Sequence, residues 1–598
     1  MLFLKPIKSH IKKTYRAILS VFFFSAALIY LISWNGTSGE NYRNIIRSDG
    51  YGYYDYFPML FGKNPIDKQK ENGVYLLKTP EGKVVNKYFI GTALLQSPFV
   101  LSVSAIKSIF NTDIDFHSEI FQKTVSIAAL FYLIIGLIFL RKLLLLYEIE
   151  NHIIEFSLFS VFFGTNLLYY SILEPSMSHV YSFAAISVFL YYVKKLSIEF
   201  TARNMFLTSF IFALVILIRP INILIILVLP FILGSVSSFI NLLSRIFNHI
   251  RYSYISLFIF IITLSIQLLV WKAQTGSFIV WSYANEGFYF NKPEILNFLF
   301  SFRKGLFIYS PFVLVSILIY IISGRKNRQE LALSIGFIFI IIYVLSSWWN
   351  WYYGDSFGSR VFIEYLPVIV LLLAIGLKYS GIILQRISVL LLSVFILLNL
   401  MQTYQYHHNI ISHFDMNSEK YFYTFGKIDS RYENILGGND DIVSFHKQPL
   451  VCVIDKEVDF KKNKNNSLIV SSKIIDNKTI QFEKQEYGLS YFLPIDSLIR
   501  FRESYLEIEN STKLLSGNLD ETFWTITYLD STKKIYNYQK IKINAIPAYK
   551  GKQRHDIYKL RVFKPFHNND LIMLSIWNYS KAEFELSNLK IKISGIIQ

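Results

Sequence analysis

Through about residue 403 the chain repeats one pattern: long apolar runs parted by short segments that carry Lys and Arg. A helix of roughly 20 apolar residues crosses the hydrocarbon core of a bilayer, and it satisfies its own backbone polar groups there. The pattern therefore predicts a polytopic α-helical membrane domain. Spans are expected near 16–34, 121–140, 152–170, 178–193, 205–218, 221–235, 253–271, 306–323, 331–348, 361–377 and 387–403, about eleven in all, with the two short runs around Arg219-Pro220 forming a hairpin. Residues 89–110 are apolar as well, but Lys87, Lys107, Gln96 and several serines predict an interfacial segment. The first run follows Lys5, Lys8, Lys12, Lys13 and Arg16. Its length and the lack of a clean small-x-small site predict a retained anchor rather than a cleaved signal.

Composition agrees and removes other classes. Of 598 residues, 53% are apolar and 17% charged, against about a quarter charged in soluble domains. Disorder needs low hydrophobicity and is excluded. Cys452 is the lone cysteine, which excludes an internal disulfide framework and a thiolate zinc site. The net charge of +18 is unevenly spread: from residue 404 onward 27 Lys/Arg face 23 Asp/Glu, leaving +14 on the first 403 residues. Much of that excess falls in Arg141-Lys142, Lys194-Lys195 with Arg203, Arg245 with Arg251, Arg325-Lys326-Arg328, and Lys378 with Arg386. Short basic loops stay cytoplasmic, so the N-terminus is expected inside and the C-terminal region outside. The charge then reads as topology, and no nucleic-acid partner is needed.

This topology gathers the remaining polar residues on the outer face. The large first outer loop, about 35–120, carries Arg47-Ser48-Asp49-Gly50-Tyr51-Gly52-Tyr53-Tyr54 and Asn86-Lys87-Tyr88. The second loop holds Glu174-Pro175-Ser176-Met177-Ser178-His179, and Arg219-Pro220 tips the short hairpin. Arg303-Lys304 ends the next loop, and the last runs from Trp348 through Tyr352, Tyr353 and Asp355 to Arg360. Taken singly, each residue has an ordinary reading. Asp49-Gly50 suits a turn, Glu174 a helix cap, His179 a satisfied interfacial site, Arg219 a snorkelling side chain, and the Trp348–Tyr353 run an aromatic belt. Convergence sets them apart, because ionisable groups beside a bilayer are costly and normally paired or functional. A carboxylate facing several cations and many aromatic rings suits a sugar bound beside a phosphate, with Arg and Lys on the phosphate oxygens.

These segments resemble the GT-C superfamily of integral-membrane glycosyltransferases. The match is carried by Arg47 to Tyr54, by Lys87 to Phe99, and by the Glu174–His179, Ile218–Asn222 and Tyr353–Arg360 stretches. The bacterial protein O-mannosyltransferase and aminoarabinose-transferase group is the nearest in pattern, over about residues 15–403. The resemblance implies a polyprenyl-phosphate-linked sugar as donor, a glycan, lipid or protein hydroxyl as acceptor, membrane lipid around both, and a bacterial inner-membrane location. It implies Asp49 as the general base, and Lys87, Arg219, Arg303, Lys304 and Arg360 as donor phosphate ligands. Tyr53, Glu174, His179, Tyr352 and Asp355 are then expected to meet sugar or acceptor, with Asp355 pairing to Arg360 as the alternative. Many relatives have an Asp-Glu pair in the first loop where this chain has Asp49-Gly50; Asp113 and Asp115 follow later, each suited to a helix cap. No cofactor is firmly implied, and a divalent cation is left open. The rival readings are an O-antigen ligase or polymerase, a lipid-linked sugar flippase, and a non-enzymatic glycan receptor.

Residues 404–465 read as a connector ending in the exposed turn Lys461-Lys462-Asn463-Lys464-Asn465-Asn466. Residues 466–598 alternate in period two between Asn-, Asp- and Gly-containing turns, which predicts an all-β, extracytoplasmic sandwich. The Leu574–Ser580 stretch and the last strand resemble jelly-roll carbohydrate-binding modules. Trp577 is expected in the core, with a sugar platform as the lesser reading.

Overall fold

The computed structural model describes residues 15–36, 40–62, 75–78, 82–283, 286–323, 327–413, 416–429, 432, 451–462, 467–519, 521–543, 551–562 and 569–597. Lys5, Lys8, Lys12, Lys13, Arg325, Lys326 and the turn residues 463–466 lie outside them. The chain divides into two compact units, residues 1–353 with 357–400, and residues 354–356 with 401–598.

The first unit is helical, and the protein is a multi-pass membrane protein. Seven of its described helices are long and apolar enough to cross a bilayer: Arg16–Asn35, Gly91–Ile109, Glu119–Leu146, Ile250–Thr275, Arg328–Ser346, Arg360–Lys378 and Ile382–His407. A broken pair, Pro220–Leu233 and Val236–Asn248, bends by 111° and brings the number to eight if counted as one span. About eleven were expected. The difference lies in helices that the chain itself interrupts: Asn151–Phe163, Ala202–Ile218 and Pro311–Ile322 are apolar but short. His179–Ile198 carries Lys195 in its last turn. Gly91–Ile109, expected at the interface, is among the long apolar helices.

One interruption sets the position of Arg219. Proline disfavours helical backbone in the residue before it, and Arg219, ahead of Pro220, is extended at φ −152° and ψ 120°. The helix Ala202–Ile218 therefore ends at Ile218, and the chain restarts as a 3-10 helix over Pro220–Val228. Gly91 seats the start of its helix on that same end. A Cβ there would come within 2.3 Å of the Leu217 and Ile218 backbone.

In the first outer loop, β1 (Leu76–Lys78) and β2 (Val84–Asn86) pair antiparallel. The second unit holds the other strands: β3 (Val451–Glu457), β4 (Leu468–Val470), β5 (Lys473–Ile474), β6 (Thr479–Glu483), β7 (Tyr487–Pro494), β8 (Phe501–Ser516), β9 (Thr522–Leu529), β10 (Ile535–Lys542), β11 (Gln553–Arg561), β12 (Leu571–Asn578) and β13 (Glu583–Ile597). They form a sheet of order β10-β9-β12-β7-β4 and a sheet of order β11-β8-β13-β6-β5, with β3 on β13. Alternate residues of both sheets share one core, among them Trp524, Ile526, Ile572 and Ile576 from the first and Ile508, Phe584, Ile591 and Ile593 from the second. The only polar atom of Trp524, its indole N–H, donates to Asn510 Oδ1 at 3.0 Å, so this ring is buried without an orphaned donor.

Two expectations change here. Residues 404–465 were read as a connector, yet they contain a helix, Ser418–Thr424, and the strand β3. The long β13 offers β3 a free edge, and pairing satisfies backbone groups that a loose connector would leave to water. Trp577 was expected in the core. It is partly exposed, and Trp524 fills the core instead.

Candidate functional site

The short helix Asp49–Tyr54 opens the site. Ser48 precedes it at φ 49°, a strained conformation for a residue with a side chain. Gly50 is where a second carboxylate was absent from the sequence, and the packing explains the glycine. A Cβ there would lie 2.1 Å from Ser176 Oγ. The second outer loop thus sits directly on the first, and a side chain between them is excluded. Asn86 Nδ2 donates to Gly52 O at 2.7 Å, which fixes Lys87 and Tyr88 beside the same helix.

Four ion pairs converge on this ground. Arg360 Nη2 donates to Asp49 Oδ2 at 2.7 Å, joining residues 311 positions apart. Arg219 Nη1 donates to Glu364 Oε1 at 2.6 Å, and His179 Nδ1 lies 3.2 Å from that oxygen. Arg47 Nη2 donates to Glu174 Oε1 at 2.8 Å and to the Tyr169 hydroxyl at 3.2 Å. Lys87 Nζ pairs with Glu286, with its ammonium 5.4 Å from the centre of the Tyr283 ring. Tyrosines link the pairs. The Tyr53 and Tyr88 ring centres are 4.5 Å apart, the Ser178 hydroxyl donates to Tyr53 Oη at 3.2 Å, and Tyr88 is hydrogen-bonded to Asp49. Tyr283 feels Arg219, Glu286 and Asp49, while Tyr353, itself at φ 55°, feels Arg219, Glu364 and Arg360.

The electrostatics of Asp49 follow from these neighbours. Burial alone pushes its carboxyl up, but the Arg360 guanidinium, the Tyr88 hydroxyl and Lys87 outweigh it and hold the group below the usual carboxylate range. Burial and the nearby Asp49 charge raise the Tyr88 phenol, which stays a neutral donor. Glu364 is 0% exposed, and its second oxygen, Oε2, has no hydrogen-bond partner among the described residues.

Seven of the residues singled out in the sequence thus meet in one cluster: Asp49, Tyr53, Lys87, Glu174, His179, Arg219 and Arg360. Others do not join it through these pairs. The Arg303 guanidinium lies 3.5 Å from the centre of the Tyr352 ring, and Lys304 is buried. Asp355 belongs to the other unit, where Tyr406 donates to it at 3.2 Å and His413 lies 3.6 Å away. Its expected pairing with Arg360 is replaced by the Asp49–Arg360 pair. Glu174 takes a guanidinium rather than capping a helix, and Arg219 is held by Glu364 rather than snorkelling outward. Asp115 does accept from the His117 backbone N–H at 2.9 Å, a local turn just before the helix at Glu119.

Sequence reading missed Glu364, Glu286 and Tyr283, and it named Tyr88 without giving it a role. Glu364 carried a usable signal: it is a lone carboxylate inside an apolar run, and such residues are functional candidates by default. No group of three or more His, Cys, Asp or Glu among the described residues is placed to hold a metal ion. The contact of Gly50 with Ser176 leaves no room for a carboxylate at position 50.

No protein-family model matches the chain. No curated protein matches it either. Among solved structures it is similar to the arabinosyltransferase EmbB from Mycobacterium smegmatis, with 10% identity and a TM-score of 0.36 over 99% of this chain. The chain spans 65% of that protein's length. A quarter of the chain is similar to the CBM22-1 xylan-binding domain of Paenibacillus barcinonensis Xyn10C, at 10% identity and a TM-score of 0.16, covering 97% of that domain.

Proposed function

We propose that the protein is a membrane glycosyltransferase of the GT-C type, moving a sugar from a polyprenyl-phosphate donor to an acceptor hydroxyl at the outer face of a bacterial inner membrane. The observation that carries this reading is Asp49, a half-buried carboxylate kept ionised by Arg360 with Tyr88 and Lys87 around it. Such a group serves as a general base only if it is unprotonated when the acceptor arrives, and this environment keeps it so.

The chemistry is a single displacement. The acceptor oxygen bonds to the anomeric carbon, its proton passes to an Asp49 oxygen, and the anomeric C–O bond breaks with its electrons going to the phosphate. The anomeric centre inverts. Charge grows on the leaving phosphate, and fixed cations stabilise it there. Arg360, Arg219 and Lys87 are the proposed donors, with Arg303 and Lys304 proposed for more distant phosphate or headgroup contacts. Each of the first three already has a carboxylate partner, so an entering phosphate shares or displaces that partner. When it draws on Arg360, the Asp49 carboxylate loses its strongest acid-strengthening neighbour and becomes a better base at the moment of transfer. Glu364 acts as a positioning residue in this scheme, holding Arg219 and His179 from one buried oxygen. Tyr53, Glu174, His179 and Tyr352 are proposed to contact sugar or acceptor.

The test is transfer by the detergent-purified protein from radiolabelled polyprenyl-phosphate sugars, wild type against Asp49→Asn. Loss of transfer with an unchanged melting profile supports the reading, and full activity of the variant removes Asp49 as base.

A further inference from the structure

The helix Val236–Asn248 is apolar along one side, and that side is left exposed. Val236, Ile240, Leu243 and Phe247 recur at helical spacing and form one stripe, with Phe247 at 69% exposure. Phe239, Leu242 and Ile246 make a second stripe turned toward the protein, Leu242 being buried. Ser237, Asn241, Ser244 and Asn248 hold the opposite, exposed side.

This helix lies at the end of the bundle remote from Asp49. Pro220–Leu233 starts beside Arg219 and runs away from it to Gly234. His179–Ile198 starts in the Asp49 cluster and ends near Ser197, to whose carbonyl Arg245 donates at 3.2 Å. Ile250–Thr275 then returns to the first outer loop, where Lys83 Nζ donates to Thr275 O at 2.7 Å. The chain bends by 111° after Leu233, so a helix that follows a crossing segment there lies near the membrane plane.

The charge at this end is basic. From residue 200 through residue 285 the sequence has no Asp or Glu. Arg203 and Arg251 are exposed, and among the described residues their side chains make no ion pair or hydrogen bond. Arg245 lies 4.6 Å from the centre of the Phe200 ring. Two carboxylates adjoin the segment: Glu199 is held by Lys195 at 3.7 Å, and Glu330 is buried beside Gly234. Tyr252 and Tyr254 are exposed where the next span begins, the usual level of tyrosine at a headgroup layer. An apolar stripe joined at both ends to membrane-crossing chain, with a polar back and unpaired arginines nearby, is the pattern of a helix lying in a bilayer interface. A second copy docked on this stripe would bring the arginines of both copies together.

We propose that Val236–Asn248 lies in the headgroup layer of the leaflet remote from Asp49, and that Arg203, Arg245 and Arg251 bind the phosphates of anionic phospholipids there. The broken pair is then one short crossing segment and one interfacial helix. This surface is independent of transfer at Asp49. The full chain, carrying Cys452→Ser, is spin-labelled through Phe247→Cys or Asn241→Cys in nanodiscs of phosphatidylglycerol and phosphatidylcholine. The label at 247 meets oxygen and is shielded from a water-soluble nickel complex, while the label at 241 meets the nickel complex. Lipids retained by the chain after equal amounts of both are offered, counted by mass spectrometry, favour phosphatidylglycerol. Arg203→Gln and Arg251→Gln each lower that preference by about fivefold, and neither side chain holds another part of the protein. Four outcomes overturn the proposal: both labels are equally open to nickel, a second copy or another protein shuts the label at 247 off from both probes, the preference is absent or survives both substitutions together, or millimolar inorganic phosphate displaces the retained lipid.

Discussion

The helical unit and the β unit solve opposite problems with the same residues. The helices turn Leu257, Phe258, Leu390 and Leu397 outward, each more than half exposed, and keep Glu364, His179 and the Arg360–Asp49 pair inside. The β unit buries Trp524, Ile526 and Ile591 and leaves most of its ion pairs in water, as with Lys473 and Glu483 at 63% and 48% exposure, Arg554 with Asp556 being a buried exception. The difference is the medium. Lipid accepts an apolar exterior, and a polar group near it is kept only with a partner. Water rewards apolar burial and makes surface ion pairs nearly indifferent. A charge held inside the helical unit is therefore more informative about function than an exposed charge on the β unit.

The sharpest break of this contrast is Asp49→Asn, for which transfer is expected to fall by about 10²–10⁴-fold, the usual contribution of a positioned base. A single-turnover assay with labelled donor reads this, and a smaller loss would mean that the Asp49 carboxylate is structural. In the β unit the largest effect comes from a side chain without charge. Trp524→Ala is expected to cost about 3–5 kcal/mol of stability, seen as an earlier transition in denaturant titration of the full chain.

Next come the cations. Arg219→Ala and Arg360→Ala each remove charge-assisted hydrogen bonds worth about 1.5–3 kcal/mol, so the apparent donor affinity drops by about 10–150-fold. Arg360→Ala has a second signature. In the wild type the Asp49 carboxyl sits below its usual value near 3.9, so a folded-state pKa lower than the unfolded one favours the fold above that value and the benefit fades as pH falls through the folded pKa. Activity should accordingly hold down to acid pH. Without Arg360 the upward push of burial loses its main opponent, and the acid limb of the rate profile moves to higher pH. The smallest effect belongs to the exposed pair. Lys473→Ala is expected to change stability by less than about 1 kcal/mol, and a larger value in equilibrium unfolding would erase the contrast between the units.

How far the sequence reached depends on the range of each interaction. The apolar runs and basic loops are local, so the membrane class and the all-β region were legible. The number of spans was less so, because a Pro-induced break such as Arg219-Pro220 shortens helices without changing mean hydropathy. Asp49, Lys87, Arg219 and Arg360 stood out as charges near a membrane surface. Glu364 was legible as a lone carboxylate inside an apolar run, although its pairing with Arg219 and His179 was not, and Glu286 lay in a loop with no pattern of its own.

Sequence alone determined that this chain enters a membrane, that it ends in strands, and which side chains have no comfortable place in lipid. Period-two alternation also required Phe523 and Trp524 to face opposite ways, as it did Ile576 and Trp577. Only the tertiary structure decided which of each pair faces the core, because that depends on strand register and on a second sheet distant in sequence. It likewise decided that Arg360 meets Asp49 across 311 residues and that Glu364 holds both Arg219 and His179. Local propensity has no term for such contacts; they exist because helix packing brings the loops together and low-dielectric burial demands a partner for every charge.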